Sequence, residues 1–366
     1  MNKEITLRQI TFMYLFISIS SILRQVPQNL ALDAGRSGYI SPLWSALVLA
    51  PLTAIVISLI ASYPGLNFYE IMVHLLGKIL AKLVILIYLL WLLVNITAKV
   101  SAYNLTLQLT LMPRTRASFF MLVLAVMVFY ALLRGIKTIF RFSELTLSSI
   151  LILFAIMFIC ALSRIRYDYL IRVSMTNIGK TIYAAKHVAS IGGNIVIALF
   201  FADKLGLATG KTQLRKLWWG AAVFVAFSFV IVIFTFGISG SSLTANTPFP
   251  FYITVKSISF FNIFERFEVL VTLICLLSDF ATICILTILI LRCLTWLFDL
   301  EDCFYLCIPL AMIIFYLNYY ISSTQFEFNY LYKNIIENLN LLFQYCIPLL
   351  LAFASAIRKK KISKPY

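Results

Sequence analysis

About ten apolar stretches, most of them near 20 residues long, follow one another along almost the whole chain. The hydrocarbon core of a bilayer is about 30 Å thick, which about 20 helical residues cross, and a helix satisfies its backbone polar groups within its own segment. The composition agrees, because 62% of the 366 residues are hydrophobic and only 12% are charged, unlike a soluble domain. The chain is therefore predicted to be an all-α polytopic membrane protein.

The predicted transmembrane helices lie at residues 9–32, 41–63, 83–110, 117–133, 145–162, 184–202, 217–238, 268–291, 303–321 and 339–357. The connections between them are too short to bury a hydrophobic core of their own, so we expect one transmembrane domain over residues 1–366. The first stretch contains Arg24 and Pro27 instead of a small-residue cleavage site, so we expect it to remain as the first span.

The basic residues predict the orientation in the bilayer. An even number of spans puts both termini on one side, and the positive-inside rule makes that side cytoplasmic because of the basic tail, Arg358, Lys359, Lys360, Lys361 and Lys364. The net charge is +16, but it is dispersed among loops, so we expect the lipid bilayer and no nucleic acid as a partner. One basic loop, residues 164–186, falls on the opposite side, and either docks an acidic partner or is a solvated interfacial segment.

Neither the cysteines nor the known catalytic motifs predict chemistry. The chain has seven cysteines, in the spans or at their cytoplasmic ends, which does not favour disulfides. Cys303 and Cys307 share a helix face, but no histidine is adjacent to them in sequence, so we expect no metal site. Motifs such as GxSxG, HExxH and a Gly-rich phosphate loop are absent. We therefore expect no enzyme activity and no cofactor.

Two spans carry polar or helix-breaking residues within an apolar sequence. The first contains Ser20, Ser21 and Arg24 ahead of Pro27, which removes one backbone donor. Transporter folds bind their ligands where helices are interrupted near mid-bilayer, so an interruption here predicts a ligand site. The alternative is a plain proline kink.

The sixth span contains the second such cluster. Its small and polar residues are Ser190, Gly192, Gly193 and Asn194. They predict either an unwound segment or close helix packing through small residues. Interruptions five spans apart are the spacing expected of two inverted five-helix repeats, over about residues 9–165 and 180–358.

Three ionisable residues fall well inside the predicted spans, away from their ends: Arg24, Lys99 and Asp279. Each costs a few kcal/mol in the bilayer unless it is paired or hydrated. For Asp279 the sequence leaves two roles open, a cation or proton site and a structural pair with Arg24 or Lys99. Lys99 either takes part in such a pair or extends to the membrane surface. Glu265 and Glu268, with Arg266 between them, resemble an ordinary helix start before the eighth span.

The order of short motifs along the chain resembles one known family. The motifs are TLRQITFM, VPQNLALDAG followed by SPLW, YPGLNFYEIMVHLLGK, MPRT, LLRGIKTIFRFSEL and NIFERFE. By the order and spacing of these motifs, the chain resembles the B-subunit permeases of endospore germinant receptors. That family is similar to the amino acid, polyamine and organocation transporters, which implies a LeuT-like five-plus-five inverted repeat of ten helices.

The resemblance implies a substrate cavity between spans one and six, walled by spans three and eight. The ligand-binding residues would then be Ser20, Ser21, Arg24, Ser190, Gly192, Gly193, Asn194 and Asp279. Pro27, Glu265, Arg266 and Glu268 would be structural or gating residues. The chain departs from the family at Ile22 and Gln28, where glycine and a basic residue are common. Arg24 is therefore our hypothesis for the contact with a ligand carboxylate, because a guanidinium binds carboxylate in a bidentate manner.

The leading functional hypothesis is a nutrient-sensing subunit of a spore germination receptor in the inner spore membrane. It would bind a small germinant, most simply an amino acid, and act with the receptor's A and C subunits, as the resemblance implies. The main alternative is an ion-coupled amino acid transporter of the cell membrane. A third hypothesis is a scaffold with a degenerate cavity.

Overall fold

The computed structural model describes residues 5–170, 178–205, 211–257, 267–300, 304–321 and 325–362. Two residues of the predicted gating motif, Glu265 and Arg266, lie outside these ranges, as do Arg172, Cys303 and Lys364. Within them the secondary structure is helical apart from turns and one isolated backbone bridge between residues 5 and 205. The prediction of an all-α chain is confirmed.

Each predicted span corresponds to a helical segment, and several of these begin earlier or end later than predicted. They are α1 (Leu7–Ala34), α2 (Ser41–Ser62), α3 (Phe68–Leu76), α4 (Lys78–Thr110), α5 (Ala117–Leu133), α6 (Ile136–Ala161), α7 (Ile178–Gly192), α8 (Ile197–Phe200), α9 (Lys211–Asn246), α10 (Pro250–Lys256), α11 (Phe267–Phe298), α12 (Cys307–Ile321), α13 (Gln325–Leu331), α14 (Glu337–Leu341) and α15 (Ile347–Ile362). Helices α7 and α8 are joined by a 3₁₀ segment, Gly193–Val196. Two π-helical segments, Tyr332–Ile336 and Leu342–Cys346, join α13 to α15 into the last span.

Seven apolar helical runs in the described ranges are long enough to cross a membrane, and the first of them, Leu7–Ser62, contains both α1 and α2. Two shorter apolar helices, Ala117–Leu133 and Phe304–Tyr319, correspond to the predicted fourth and ninth spans. Large apolar side chains such as Leu47, Ile159 and Leu350 are exposed on the outside of the bundle. This is the surface expected of a protein whose solvent is lipid, so the chain is a multi-pass membrane protein.

Helix α1 lies at the centre of the bundle and packs against α6, α7, α9 and α11. Most of its residues are buried, including the polar Ser18, Ser20, Ser21 and Arg24. Helix α4 runs along α11, and α12 and α13 also contact it. Residues of the first, third, sixth, eighth and last spans are therefore neighbours in the middle of the molecule.

The two predicted interruptions have different outcomes. In the first span the prediction is wrong, because α1 is one α-helix from Leu7 to Ala34 with Pro27 inside it. The hydroxyl of Ser20 bonds to Asp279 on another helix, so it does not compete for the backbone of α1. In the sixth span the α-helix tightens into the 3₁₀ segment that begins at Gly193, and the backbone is not unwound. Gly192 and Gly193 pack closely against neighbouring side chains, which agrees with the alternative of packing through small residues. The inverted repeats at about 9–165 and 180–358 stay a prediction.

Candidate functional site

The centre of the site is a buried ion pair between α1 and α11. Nη1 of Arg24 lies 2.7 Å from Oδ2 of Asp279, and Nη2 donates to Oδ1 at 2.8 Å. The two side chains are 3% and 0% exposed. Of the two roles left open for Asp279, the pair with Arg24 is present in this conformation, and the hydrogen bond from Nη2 together with the close approach of Nη1 offsets part of the cost of burying both charges.

The remaining donors of Arg24 are directed mainly at α4. Nη1 donates to the carbonyl oxygen of Ala102 at 3.0 Å and to Oγ1 of Thr106 at 2.7 Å. Nε has no hydrogen-bond partner among the described residues. The hypothesis that Arg24 contacts a ligand carboxylate stays a prediction, but both terminal nitrogens are already held by protein groups.

Two serines link α1 to α11 beside this pair. Ser20 donates through Oγ to Oδ1 of Asp279 at 2.6 Å. The hydroxyl of Ser278 accepts from the backbone N–H of Ser20 at 3.2 Å and donates to the carbonyl oxygen of Phe16 at 2.6 Å. In an α-helix the N–H of Ser20 would donate directly to the carbonyl oxygen of Phe16, and the Ser278 hydroxyl lies between these two groups. A side chain inserted into the backbone hydrogen bonds in this way is a known cause of local helix bending.

Lys99 of α4 is turned toward the interior of the bundle. Its Nζ donates to the hydroxyls of Ser21 and Ser20, the latter at 3.4 Å, and lies 3.9 Å from Oδ1 of Asp279. Its side chain is 15% exposed, so the alternative that it extends to the membrane surface is wrong for this conformation. Arg24, Lys99 and Asp279 together carry one positive charge in excess, which we call the central charge cluster.

A cavity of about 40 Å³ lies beside the central charge cluster. Its walls come from α1, α4, the α7–α8 segment, α11 and the last span, with polar side chains from Ser21, Gln25, Asn95, Lys99, Ser190, Asn194, Thr282, Tyr332, Asn340 and Gln344. The volume is room for a few water molecules. A ligand the size of an amino acid therefore requires the surrounding helices or side chains to move.

The predicted ligand-binding residues divide into two groups around this cavity. Ser21, Ser190, Gly193 and Asn194 line it. Arg24 and Asp279 of the central charge cluster lie behind it, with Ser20 bonded to Asp279. Gly192 is turned away, since a Cβ there would meet Phe224 at 2.9 Å and Leu49 at 3.2 Å. Among the predicted structural residues, Pro27 is buried in α1, and Glu268 lies in the first turn of α11.

Gly193 allows the last span to approach the sixth. A Cβ at this position would lie 2.0 Å from Oε1 and 2.8 Å from Cβ of Gln344, whose amide donates to Oδ1 of Asn194 at 2.9 Å. The contact with Cβ cannot be relieved by rotating the end of the side chain.

We expect Gly193→Ala to force these two spans apart and to lower the free energy of unfolding by about 1–3 kcal/mol. Thermal unfolding of the purified protein in detergent measures this loss. Gly179→Ala on α7 is the matched control, because a Cβ there has nothing within 4 Å. Equal melting temperatures for the two variants would contradict the prediction.

A second polar cluster was missed in the sequence. His187 contacts Glu337 through Nδ1 and lies 2.8 Å from Oδ2 of Asp33 through Nε2, and Nζ of Lys333 lies 2.8 Å from Oδ1 of Asp33. Asp33, Lys333 and Glu337 fell just outside spans predicted at 9–32 and 339–357, so they were assigned to loops. The helices extend further, to Ala34 at one end and from Gln325 at the other. We call these four residues the histidine cluster.

Phe200 lines the cavity on the side away from the histidine cluster. Its ring packs against Phe68, Tyr88 and Trp296. Arg292 of α11 donates to the carbonyl oxygen of Phe200 and lies 3.0 Å from Oδ1 of Asp203. Ion pairs therefore lie on both sides of the cavity along the bundle.

A comparison with protein families decides the identity of the chain. The model of one family, described as spore germination protein and named spore permease, matches residues 4–327. The chain belongs to the spore germination protein family. This confirms the resemblance found in the motifs, and the protein is a permease-type membrane protein of spore germination. No curated protein matches the sequence. The matched segment of this spore permease includes Ser21, Lys99 and Asn194 but ends before Glu337 and Gln344.

Proposed function

We propose that this spore permease is the nutrient-sensing membrane subunit of a germination receptor and binds a small germinant in the central cavity. The observation that carries the proposal is the cavity itself, because its walls combine a 3₁₀ segment that begins at Gly193 with a neighbouring excess positive charge. Ligand sites of transporter-type membrane proteins have this combination of interrupted backbone and polar groups at depth. The receptor role rests on membership of the family.

The charge of the site favours a ligand that carries a carboxylate. Lys99 is the cation that lines the cavity, whereas Arg24 is bound to Asp279 behind it. An ammonium group can reorient its three donors toward an incoming carboxylate. We therefore assign the carboxylate contact to Lys99. Asp279, paired with Arg24, holds Ser20 next to Lys99, and Ser21 accepts a hydrogen bond from Lys99 itself.

The amide oxygens on the cavity wall favour an ammonium group on the same ligand. Oε1 of Gln25 and Oε1 of Gln344 are buried and have no hydrogen-bond partner among the described residues. Both residues line the cavity. A buried acceptor without a donor costs about 1–3 kcal/mol, which a ligand N–H group would recover. A zwitterionic amino acid therefore fits the wall better than a sugar or a nucleoside.

The small volume supports sensing by a change of conformation. A ligand that needs more than about 40 Å³ binds only after the helices separate, so it selects the wider arrangement. A hundredfold preference for one arrangement would supply about 2.7 kcal/mol to shift the equilibrium. In the proposed receptor this shift is passed to the A and C subunits in the inner spore membrane, with both termini on the cytoplasmic side.

The alternative, an ion-coupled amino acid transporter of the cell membrane, is favoured by the ionisable clusters on both sides of the cavity. A carrier must expose its site to each side in turn, whereas a sensor needs only two states. We expect the purified chain in nanodiscs to bind an amino acid and to show no counterflow of it in proteoliposomes. Counterflow that saturates at the binding affinity would support the transporter instead.

A further inference from the structure

The histidine cluster is separate from the proposed ligand cavity and joins α1, α7 and the last span. Asp33 comes from α1, His187 from α7 and Glu337 from α14, and Lys333 lies in the π-helical segment before α14. His187 is 1% exposed and the side chain of Glu337 is 1% exposed, while Asp33 and Lys333 are 14% and 34% exposed. The cluster is therefore a buried ion network with one end near the surface.

Both nitrogens of the imidazole face carboxylate oxygens. Nε2 lies 2.8 Å from Asp33, and Nδ1 contacts Glu337. A neutral imidazole has only one N–H, so it would direct a lone pair at one of the two carboxylates, and an ionised carboxylate has no hydrogen to donate. Opposed lone pairs are costly in a buried site. The doubly protonated ring removes the conflict, because both nitrogens then donate.

The charges of the cluster also favour the protonated ring. With an imidazolium, the two cations, His187 and Lys333, balance the two anions, Asp33 and Glu337. Helix α2, which also packs against α7, has no ionisable residue. Arg36, on the segment after α1, and Lys180, on α7 itself, line a surface hollow with Asp33. The imidazole of His187 lies between the carboxylates of Asp33 and Glu337, so neither Arg36 nor Lys180 takes the place of a positive charge there.

The cluster lies between the cavity and the end of the bundle where α1 ends. Ser190, Asn340 and Gln25 line the cavity. His187 lies one helical turn before Ser190 and Glu337 one turn before Asn340. Asp33 lies about two turns after Gln25. Without the proton, two carboxylates from different helices would lie around a neutral ring. We propose that the histidine cluster is a binding site for one proton on His187, and that this proton holds α1, α7 and the last span together over the cavity.

Histidine NMR tests the site directly, because the chain has only two histidines, His74 and His187. The full chain is labelled with ¹⁵N-histidine and studied in lipid nanodiscs, and the His74→Gln variant assigns the two sets of signals. At neutral pH we expect both ring nitrogens of His187 to have protonated shifts. In Glu337→Gln we expect one protonated nitrogen only, since the new amide can donate to Nδ1. A single protonated nitrogen in the unaltered chain at neutral pH would overturn the proposal.

The closure is tested by the distance between α1 and the last span. Spin labels at Leu32→Cys and Tyr330→Cys, both exposed positions, are introduced into the full chain after its native cysteines are replaced. We expect the distance to lengthen in alkaline buffer as His187 loses its proton, and to stay short in Glu337→Gln at every pH. An unchanged distance over the pH range in which NMR detects proton loss would overturn the role in closure. Neither measurement depends on nutrient binding, so failure of the proposed function leaves both results interpretable.

Discussion

Replacement of Asp279 by Asn is expected to lower the free energy of unfolding by about 3–5 kcal/mol, the usual cost of removing one partner from a buried ion pair. The substitution leaves Arg24, which is 3% exposed, without its countercharge. It also leaves Lys99, 3.9 Å from the same carboxylate, as a second, half-buried cation without a countercharge nearby among the described residues. A denaturant titration of the purified protein in mixed micelles measures the change.

The double variant Arg24→Met with Asp279→Leu separates loss of an ion pair from loss of packing. We expect it to be more stable than Asp279→Asn, because no guanidinium remains unpaired. Asp299→Asn is the matched control, since Asp299 forms an exposed pair with Lys82 at 2.8 Å, and exposed pairs contribute little to stability. Equal losses in Asp279→Asn and Asp299→Asn would show that the central charge cluster does not stabilise the bundle.

Replacement of Lys99 by Met is expected to weaken the binding of an amino acid by about 10- to 150-fold, which corresponds to about 1.5–3 kcal/mol for a charged hydrogen bond. The methionine retains most of the length of the side chain and removes the ammonium group that lines the cavity. Equilibrium binding of a radiolabelled amino acid to the protein in nanodiscs gives the affinity.

Lys82→Met is the control on the same helix, α4, because Lys82 pairs with Asp299 away from the cavity. It should bind the ligand like the unaltered chain. If Lys99→Met also binds normally and Arg24→Gln, while still folded, loses affinity, the carboxylate contact belongs to Arg24, as the sequence first suggested. Normal binding in both variants would rule out a cationic contact from either residue.

The sequence predicts the fold well because the bilayer imposes a simple rule on it. A span needs enough apolar residues, so α5 was predicted with both of its ends, Ala117 and Leu133, and α2 was predicted to within one residue. The rule fails at polar helix ends. Helix α6 begins at Ile136 and the last span at Gln325, well before the predicted residues 145 and 339. Polar first turns resemble loops in sequence although their backbone is helical.

The site was harder to predict because its contacts join residues far apart in the chain. The polar residues of α1 suggested a broken helix, but α1 is continuous. The backbone N–H of Ser20 donates instead to the hydroxyl of Ser278, which is more than 250 residues away in the chain. Asp33 and His187 are 154 residues apart. Hydropathy finds a buried charge only well inside a predicted span, so it identified Arg24, Lys99 and Asp279. It missed the histidine cluster because three of its members fell outside the predicted spans and His187 lay near the start of one.

The measurement that tests nutrient sensing most directly is the release of core solutes from spores that lack only this chain, challenged separately with amino acids, sugars and nucleosides. We predict loss of the response to an amino acid, with the other responses intact. The intact gene should restore it, whereas Lys99→Met and Asn194→Ala should not, although both proteins accumulate in the membrane. An unchanged response to every nutrient would contradict the proposed function, and restoration by both cavity variants would indicate a scaffold instead of a sensor.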